Sequence, residues 1–115
     1  MTPAKQDGVI LLVEDPLIRS FLKTVLGRKG HKVAEAEIYG ALTMLESRQV
    51  PVSVLITNQP RYFLAYADEL RVLYIAAAPD PELAARFPHC RTLRKPFVPQ
   101  ELLSVVEELR SLAPA

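Results

Sequence analysis

The side chains able to do chemistry are few, and they gather where apolar runs end. Val9 to Val13 is an uninterrupted apolar run closed by Glu14-Asp15-Pro16, and Val52-Ser53-Val54-Leu55-Ile56-Thr57 is closed by Asn58-Gln59-Pro60. A third polar cluster, Arg94-Lys95-Pro96-Phe97, follows Thr92 and Leu93. Glu14 and Asp15 concentrate negative charge, Lys95 supplies a cation, and Asn58 supplies only a neutral amide, a very poor nucleophile. Elsewhere the chemistry is thin. Cys90 is the single cysteine, which excludes an internal disulfide and any multi-cysteine metal site. It reads as a small, semi-buried thiol near a strand. His31 and His89 read as surface or loop residues, and with one thiol and scattered carboxylates there is no catalytic dyad, so no enzyme activity is expected. No glycine-rich phosphate loop follows the first apolar run, and Glu14-Asp15-Pro16 would repel a phosphate there. A small flavodoxin-like nucleotide or flavin binder is therefore a remote alternative.

The elements that position these residues follow from periodicity. Glu14-Asp15-Pro16 ends a first strand; Asp15 suits an N-cap whose carboxylate accepts orphan backbone N–H groups, and Pro16 suits N1. Ile18, Phe21, Leu22 and Val25 then give the first helix one apolar face, and Gly27 and Gly30 supply stop signals. Residues 32–36 read as a second strand and 38–48 as a second helix, with Ile38, Ala41, Leu42 and Leu45 at helical spacing. The run from Val52 is rich in β-branched residues and suits a strand buried on both faces. Tyr62, Phe63, Leu64 and Tyr66 could form at most a short helix. Val72 to Ile75, running into Ala76, is a fourth strand. Asp80-Pro81 repeats the cap signature before a short helix at 81–87, Thr92 and Leu93 form a brief fifth strand, and residues 98–112 form the clearest amphipathic helix.

Five strands alternating with helices imply an α/β layer sandwich with a mainly parallel sheet. Of the doubly wound orders, 2-1-3-4-5 fits a chain of 115 residues. In such sheets ligand chemistry gathers just beyond the carboxyl ends of the strands, where Asn58 falls. One domain is expected over residues 1–115, with a loose leader at 1–7 and a folded core at 8–112. The net charge of +1 argues against a dedicated nucleic-acid or anionic-membrane surface. No apolar run approaches the ~20 residues that span a bilayer, and Met1 to Gly8 lacks the apolar region of a secretory signal. A cytoplasmic location is the simplest expectation.

Glu14-Asp15 after the first strand, Leu55-Ile56-Thr57-Asn58-Gln59-Pro60 after the third and Arg94-Lys95-Pro96-Phe97 after the fifth make the chain resemble a response-regulator receiver domain (CheY-like) over residues 8–112. The resemblance implies a three-layer flavodoxin-like fold, with the third crossover helix short or missing because the segment after Asn58 is shorter than in the family. It further implies that Asn58 stands where the family has its phosphoacceptor aspartate, Glu14 and Asp15 form the acidic pocket, and Lys95 is the phosphoryl-pairing lysine. Ala76 occupies the position of the switch Ser or Thr, and Thr92 the position of a switching aromatic. Lys95-Pro96 is expected to be cis by the same resemblance, as X-Pro bonds tolerate.

The expected function is thus a two-component or phosphorelay signalling module, incompetent for phosphorylation at the usual position and acting through protein–protein contacts. The alternative is a phosphorylatable regulator that uses Asp15 or another carboxylate with Mg²⁺. No cofactor is expected; Glu14 and Asp15 would be the Mg²⁺ ligands, weakened by the neutral amide of Asn58. Lys95 is expected to form a structural ion pair with Glu14 or Asp15. The resemblance places a signalling partner, whether a histidine kinase, phosphotransfer protein or output protein, on the face of the fourth helix, fifth strand and fifth helix; the fifth helix could also serve a homodimer. Tyr62, Phe63 and Tyr66 are either core plugs replacing a lost helix or an exposed contact patch.

Overall fold

The structure is a computed structural model that describes residues 8–112, so the expected leader at 1–7 lies outside the described residues. Strands β1 (Val9–Val13), β2 (Val33–Glu35), β3 (Val52–Thr57), β4 (Arg71–Ala76) and β5 (His89–Arg94) form one parallel sheet in the order β2-β1-β3-β4-β5. Helices α1 (Pro16–Arg28), α2 (Ile38–Ser47), α3 (Pro81–Ala84) and α4 (Pro99–Ser111) lie between and after the strands. This is the doubly wound order expected from the sequence.

Because side chains alternate across a strand, each apolar run feeds two cores. Ile10, Leu12, Val54, Ile56, Leu73, Ile75 and Leu93 turn to one face and pack with Leu22 and Leu26 of α1 and Leu102, Val106 and Leu109 of α4. Leu11, Val13, Leu55, Val72 and Tyr74 turn to the other face, against Ala41 and Leu45 of α2. Phe63 and Phe87 complete this second core. Each fully buried aliphatic side chain contributes about 1.5–3 kcal/mol, so both faces must be covered for the sheet to persist.

The third crossover is where coverage is short. Pro60–Tyr66 is a 3-10 helix rather than an α-helix. Phe63 is 0% exposed and fills the place of a missing helix, Tyr66 is half-buried, and Tyr62 is 45% exposed beneath the Arg61 guanidinium. The three aromatics thus divide between plug and surface instead of acting as one group.

Other expectations need correction. Phe21 is 39% exposed, its ring edge-on to Phe97 at 6.1 Å, and the α1 stripe buries Leu22 and Leu26 instead. Asp15 precedes α1 but its carboxylate makes no capping hydrogen bond, whereas Asp80 Oδ1 accepts the N–H groups of Glu82 and Leu83 at 2.9 and 3.4 Å. The helix after β4 stops at Ala84, short of Phe87. The fifth strand is six residues long, because pairing with β4 recruits the polar stretch from His89 that carries no apolar run. Gly27 is inside α1, and Gly30, at φ 85°, makes the turn that ends it.

His31 is a further correction. It lies in the turn before β2, but its side chain is only 10% exposed and fastens α4 to the sheet. Arg110 Nη1 lies 2.8 Å from His31 Nδ1 and Glu107 Oε1 lies 3.5 Å from His31 Nε2. A guanidinium can only donate, so Nδ1 accepts and the ring is neutral in this arrangement. Burial, and then the Arg110 charge, hold its pKa below the ordinary 6.5, while Glu107 opposes.

Two predictions follow from this packing. Phe63→Ala should cost about 3–5 kcal/mol in chemical denaturation, while Tyr62→Ala should change stability by no more than about 0.5 kcal/mol; equal costs would contradict the division of the aromatics. For His31, a lowered pKa means that the native state prefers the neutral ring. Its contribution is present above the usual histidine value of 6.5 and is lost as pH falls through the lowered native value. The urea midpoint should therefore drop on moving below pH 6.5, and His31→Asn should remove part of that drop.

Candidate functional site

The parallel order brings the ends of four strands to one edge. The β1–β3 register pairs Val13 with Thr57, so Glu14 and Asn58 emerge side by side. The β4–β5 register pairs Ala76 with Arg94, and the Lys95 N–H donates to the Ala76 carbonyl at 2.9 Å. Thr57 Oγ1 accepts the Gln59 N–H at 3.0 Å, which turns the chain away immediately after Asn58. The Lys95-Pro96 bond is cis.

Glu14 is the centre of this edge. Its side chain is 0% exposed, and Nζ of Lys95, a side chain 26% exposed, reaches its Oε1 at 3.5 Å. The same oxygen accepts the Asp15 N–H at 3.3 Å. The other oxygen, Oε2, is buried and has no hydrogen-bond partner among the described residues. Desolvation pushes the Glu14 carboxyl above its ordinary 4.5, against the opposing pull of the Lys95 charge and the Asp15 N–H. The expected ion pair is thus formed with Glu14, at a length that leaves half the carboxylate unsatisfied.

Glu14, Asp15 and Asn58 line a cleft of about 350 Å³ between the start of α1 and the turn from β2 into α2. Lys95 borders a separate apolar depression with Ile18, Phe21 and Phe97. Ala76 ends β4 without a hydroxyl. Thr92 is exposed in the middle of β5, beside a shallow groove with Cys90 and Arg94, and does not join the cleft. The Cys90 thiol is pushed up to about 11 by burial, with Arg91 opposing, so it is not a ready nucleophile.

Three residues of the cleft carry no motif in the sequence: Arg19, Glu37 and Tyr39. Arg19 Nε lies 3.3 Å from Glu35 Oε1, which places the guanidinium against the end of β2. Glu37 and Tyr39 follow the carboxyl end of β2, so the strand-end rule that singled out Asn58 reaches them too. Tyr39, however, is 85% exposed and looks from sequence like an ordinary helix-surface residue.

A divalent ion would meet two carboxylates, Glu14 with its unpartnered Oε2 and Asp15, and the neutral Asn58 amide. That donor set fits Mg²⁺ in a water-rich shell, but among the described residues no group of three or more His, Cys, Asp or Glu gathers to hold a metal.

The fold is similar to that of solved receiver domains. The chain is similar to the apo receiver domain of nitrogen regulatory protein C (TM-score 0.75, 24% identity, covering 92% of this chain and 96% of that one). It is also similar to the signal receiver domain of an HD-domain-containing protein from Pseudomonas fluorescens Pf-5 (TM-score 0.71, 23% identity, 96% and 95% covered). A third match is the chemotaxis response regulator CheY4 of Vibrio cholerae (TM-score 0.72, 21% identity, 89% and 98% covered). No protein-family model and no curated protein matches the sequence. The chain therefore has the receiver-domain fold, CheY-like in its sheet order.

Glu14 supplies a test of this geometry. A carboxyl whose pKa is raised by folding prefers its neutral form, so its contribution is present below the ordinary value of 4.5 and lost as pH rises through the folded value. At neutral pH the buried, half-satisfied anion costs stability, and the partly exposed Lys95 can hydrate when the pair is broken. Glu14→Gln should raise the melting temperature by a few degrees at pH 7 and leave it nearly unchanged below pH 4.5. A fall at pH 7 would show that the pair is net stabilising.

Proposed function

We propose that this chain is a receiver-fold signalling module that takes no phosphoryl group at the usual strand end and works through protein–protein contact. The observation that carries this reading is Asn58. It stands at the carboxyl end of β3, beside the buried Glu14 and its Lys95 partner, where phosphotransfer needs a carboxylate anion. An amide offers no charge to attack phosphorus and no acyl phosphate to form. Ala76 adds to this, since a methyl group cannot follow a new phosphoryl charge.

Mg²⁺, when bound, would neutralise charge between Glu14 and Asp15; nothing in the proposed function requires it. Glu14 and Lys95 instead link the ends of β1 and β5 across the edge without a phosphoryl group. Partner contact is assigned to α3, β5 and α4, where β5 is the sheet edge and exposes Arg91, Thr92 and Arg94. Arg91 is held there by Glu108 of α4, which fixes its position on that face. A homodimer through α4 is the other arrangement of the same face. The net charge of +1 supports a protein rather than a nucleic acid as partner. Among the described residues no helix is long and apolar enough to cross a membrane, and a cytoplasmic, non-enzymatic role completes the reading.

A second reading keeps a phospho-switch on Asp15, which is exposed beside the cleft. Intact-mass analysis after incubation with acetyl phosphate and Mg²⁺ separates the two. The wild type should gain no phosphoryl group, and Asn58→Asp should gain one. Labelling of the wild type that disappears in Asp15→Asn would establish the second reading instead.

A further inference from the structure

The cleft beside Asn58 carries a feature that the loss of phosphotransfer leaves unexplained. Glu14 is a fully buried carboxylate whose Oε2 has no hydrogen-bond partner and which lines that cleft. An unsatisfied buried anion costs free energy and is retained where something else completes it. Two more carboxylates, the exposed Asp15 and Glu37, line the cleft with Glu14; Arg19 is the one cation among the lining residues, its Nε 3.3 Å from Glu35 Oε1 but buried without a hydrogen bond. Lys23 lies 3.0 Å from the same Glu35, so that carboxylate is already shared by two cations and adds no demand of its own. Lys95 reaches only Oε1 and does so at 3.5 Å. Asn58 offers an amide oxygen, and the ring of Tyr39, 85% exposed at the rim, has no cover of its own.

A buried acceptor, two exposed carboxylates and an exposed aromatic ring along one cleft are the complement of an elongated organic cation. The charged head would donate to Glu14 Oε2 and the Asn58 oxygen, and the stem or the head's face would lie on Tyr39. A cleft of about 350 Å³ accommodates one such side chain. We infer that this cleft receives an arginine or lysine side chain presented by a protein partner. The inference rests on the contact function proposed above and assigns that function a second surface, apart from the β5 face.

The test is an NMR titration of the full chain with Nα-acetyl-L-arginine methylamide, Nα-acetyl-L-lysine methylamide, the uncharged isostere Nα-acetyl-L-citrulline methylamide, and MgCl₂, each alone. The two cationic amides at millimolar concentration should shift the amide signals of Glu14, Asn58 and Tyr39, and the citrulline compound should not. Glu14→Gln should weaken binding about tenfold or more, and Tyr39→Ala by about threefold. Equal shifts from the citrulline compound would overturn the inference. So would binding that survives Glu14→Gln, or a site that answers to Mg²⁺ and to neither amide. The readout does not depend on phosphorylation: labelling of the wild type by acetyl phosphate would refute the proposed function without silencing this titration, and a silent titration would leave the labelling result unchanged.

Discussion

A parallel sheet buried on both faces leaves its polar business only one place to go. Along β1, β3 and β4 the apolar residues alternate between two cores, and almost no position within the strands can carry a charge. Polar groups appear where a strand has just ended and the next turn has begun. Glu14, Asn58, Ala76 and Lys95 are the first residues at such ends or the last before them, and the strand registers alone bring them to one edge. The site is therefore a consequence of covering the sheet, and its composition can change while its position cannot.

That freedom lets the edge carry an amide at the end of β3 and keep its shape. Asn58 needs only to end β3 and enter a turn, which an amide does as well as a carboxylate. Glu14 is different. Its carboxylate is held inside the protein with one oxygen unpaired, a state that an apolar or amide side chain would avoid. Stability does not explain its presence, because burial raises its pKa against the long contacts from Lys95 and the Asp15 N–H. A residue that works against the fold is better explained by what meets it at the edge.

How much of this was legible in the sequence depends on which physical signal each element carries. The runs Val9 to Val13 and Val52 to Thr57, and the stripe of α4, are driven by burial and were plain. β5 was not: His89, Cys90, Arg91 and Thr92 join the sheet through backbone pairing with β4, and an edge strand can be polar without penalty. Phe21 fits the helical spacing of α1, yet it turns outward to Phe97, a partner far along the chain that local periodicity cannot reveal. Asp15 has the side chain of a cap and the position of one, but its carboxylate faces the cleft mouth without accepting a helix N–H. His31 looked like a loop residue, and its burial depends on Arg110 and Glu107 from the last helix.

The shortened third crossover joins these points. A full α-helix after β3 would cover the second core by itself; here a 3-10 helix does so through one fully buried ring, Phe63, while Tyr62 and part of Tyr66 remain outside. In a chain that switched by moving its β3–β4 side, such thin coverage would be costly, since every rearrangement would risk exposing the core. Under the function proposed above, in which Asn58 accepts no phosphoryl group and Ala76 has no hydroxyl to follow one, that cost does not arise. On that reading the short crossover, Asn58 and Ala76 favour the same outcome, an edge held in one arrangement, with Glu14 and Lys95 linking the ends of β1 and β5 across it.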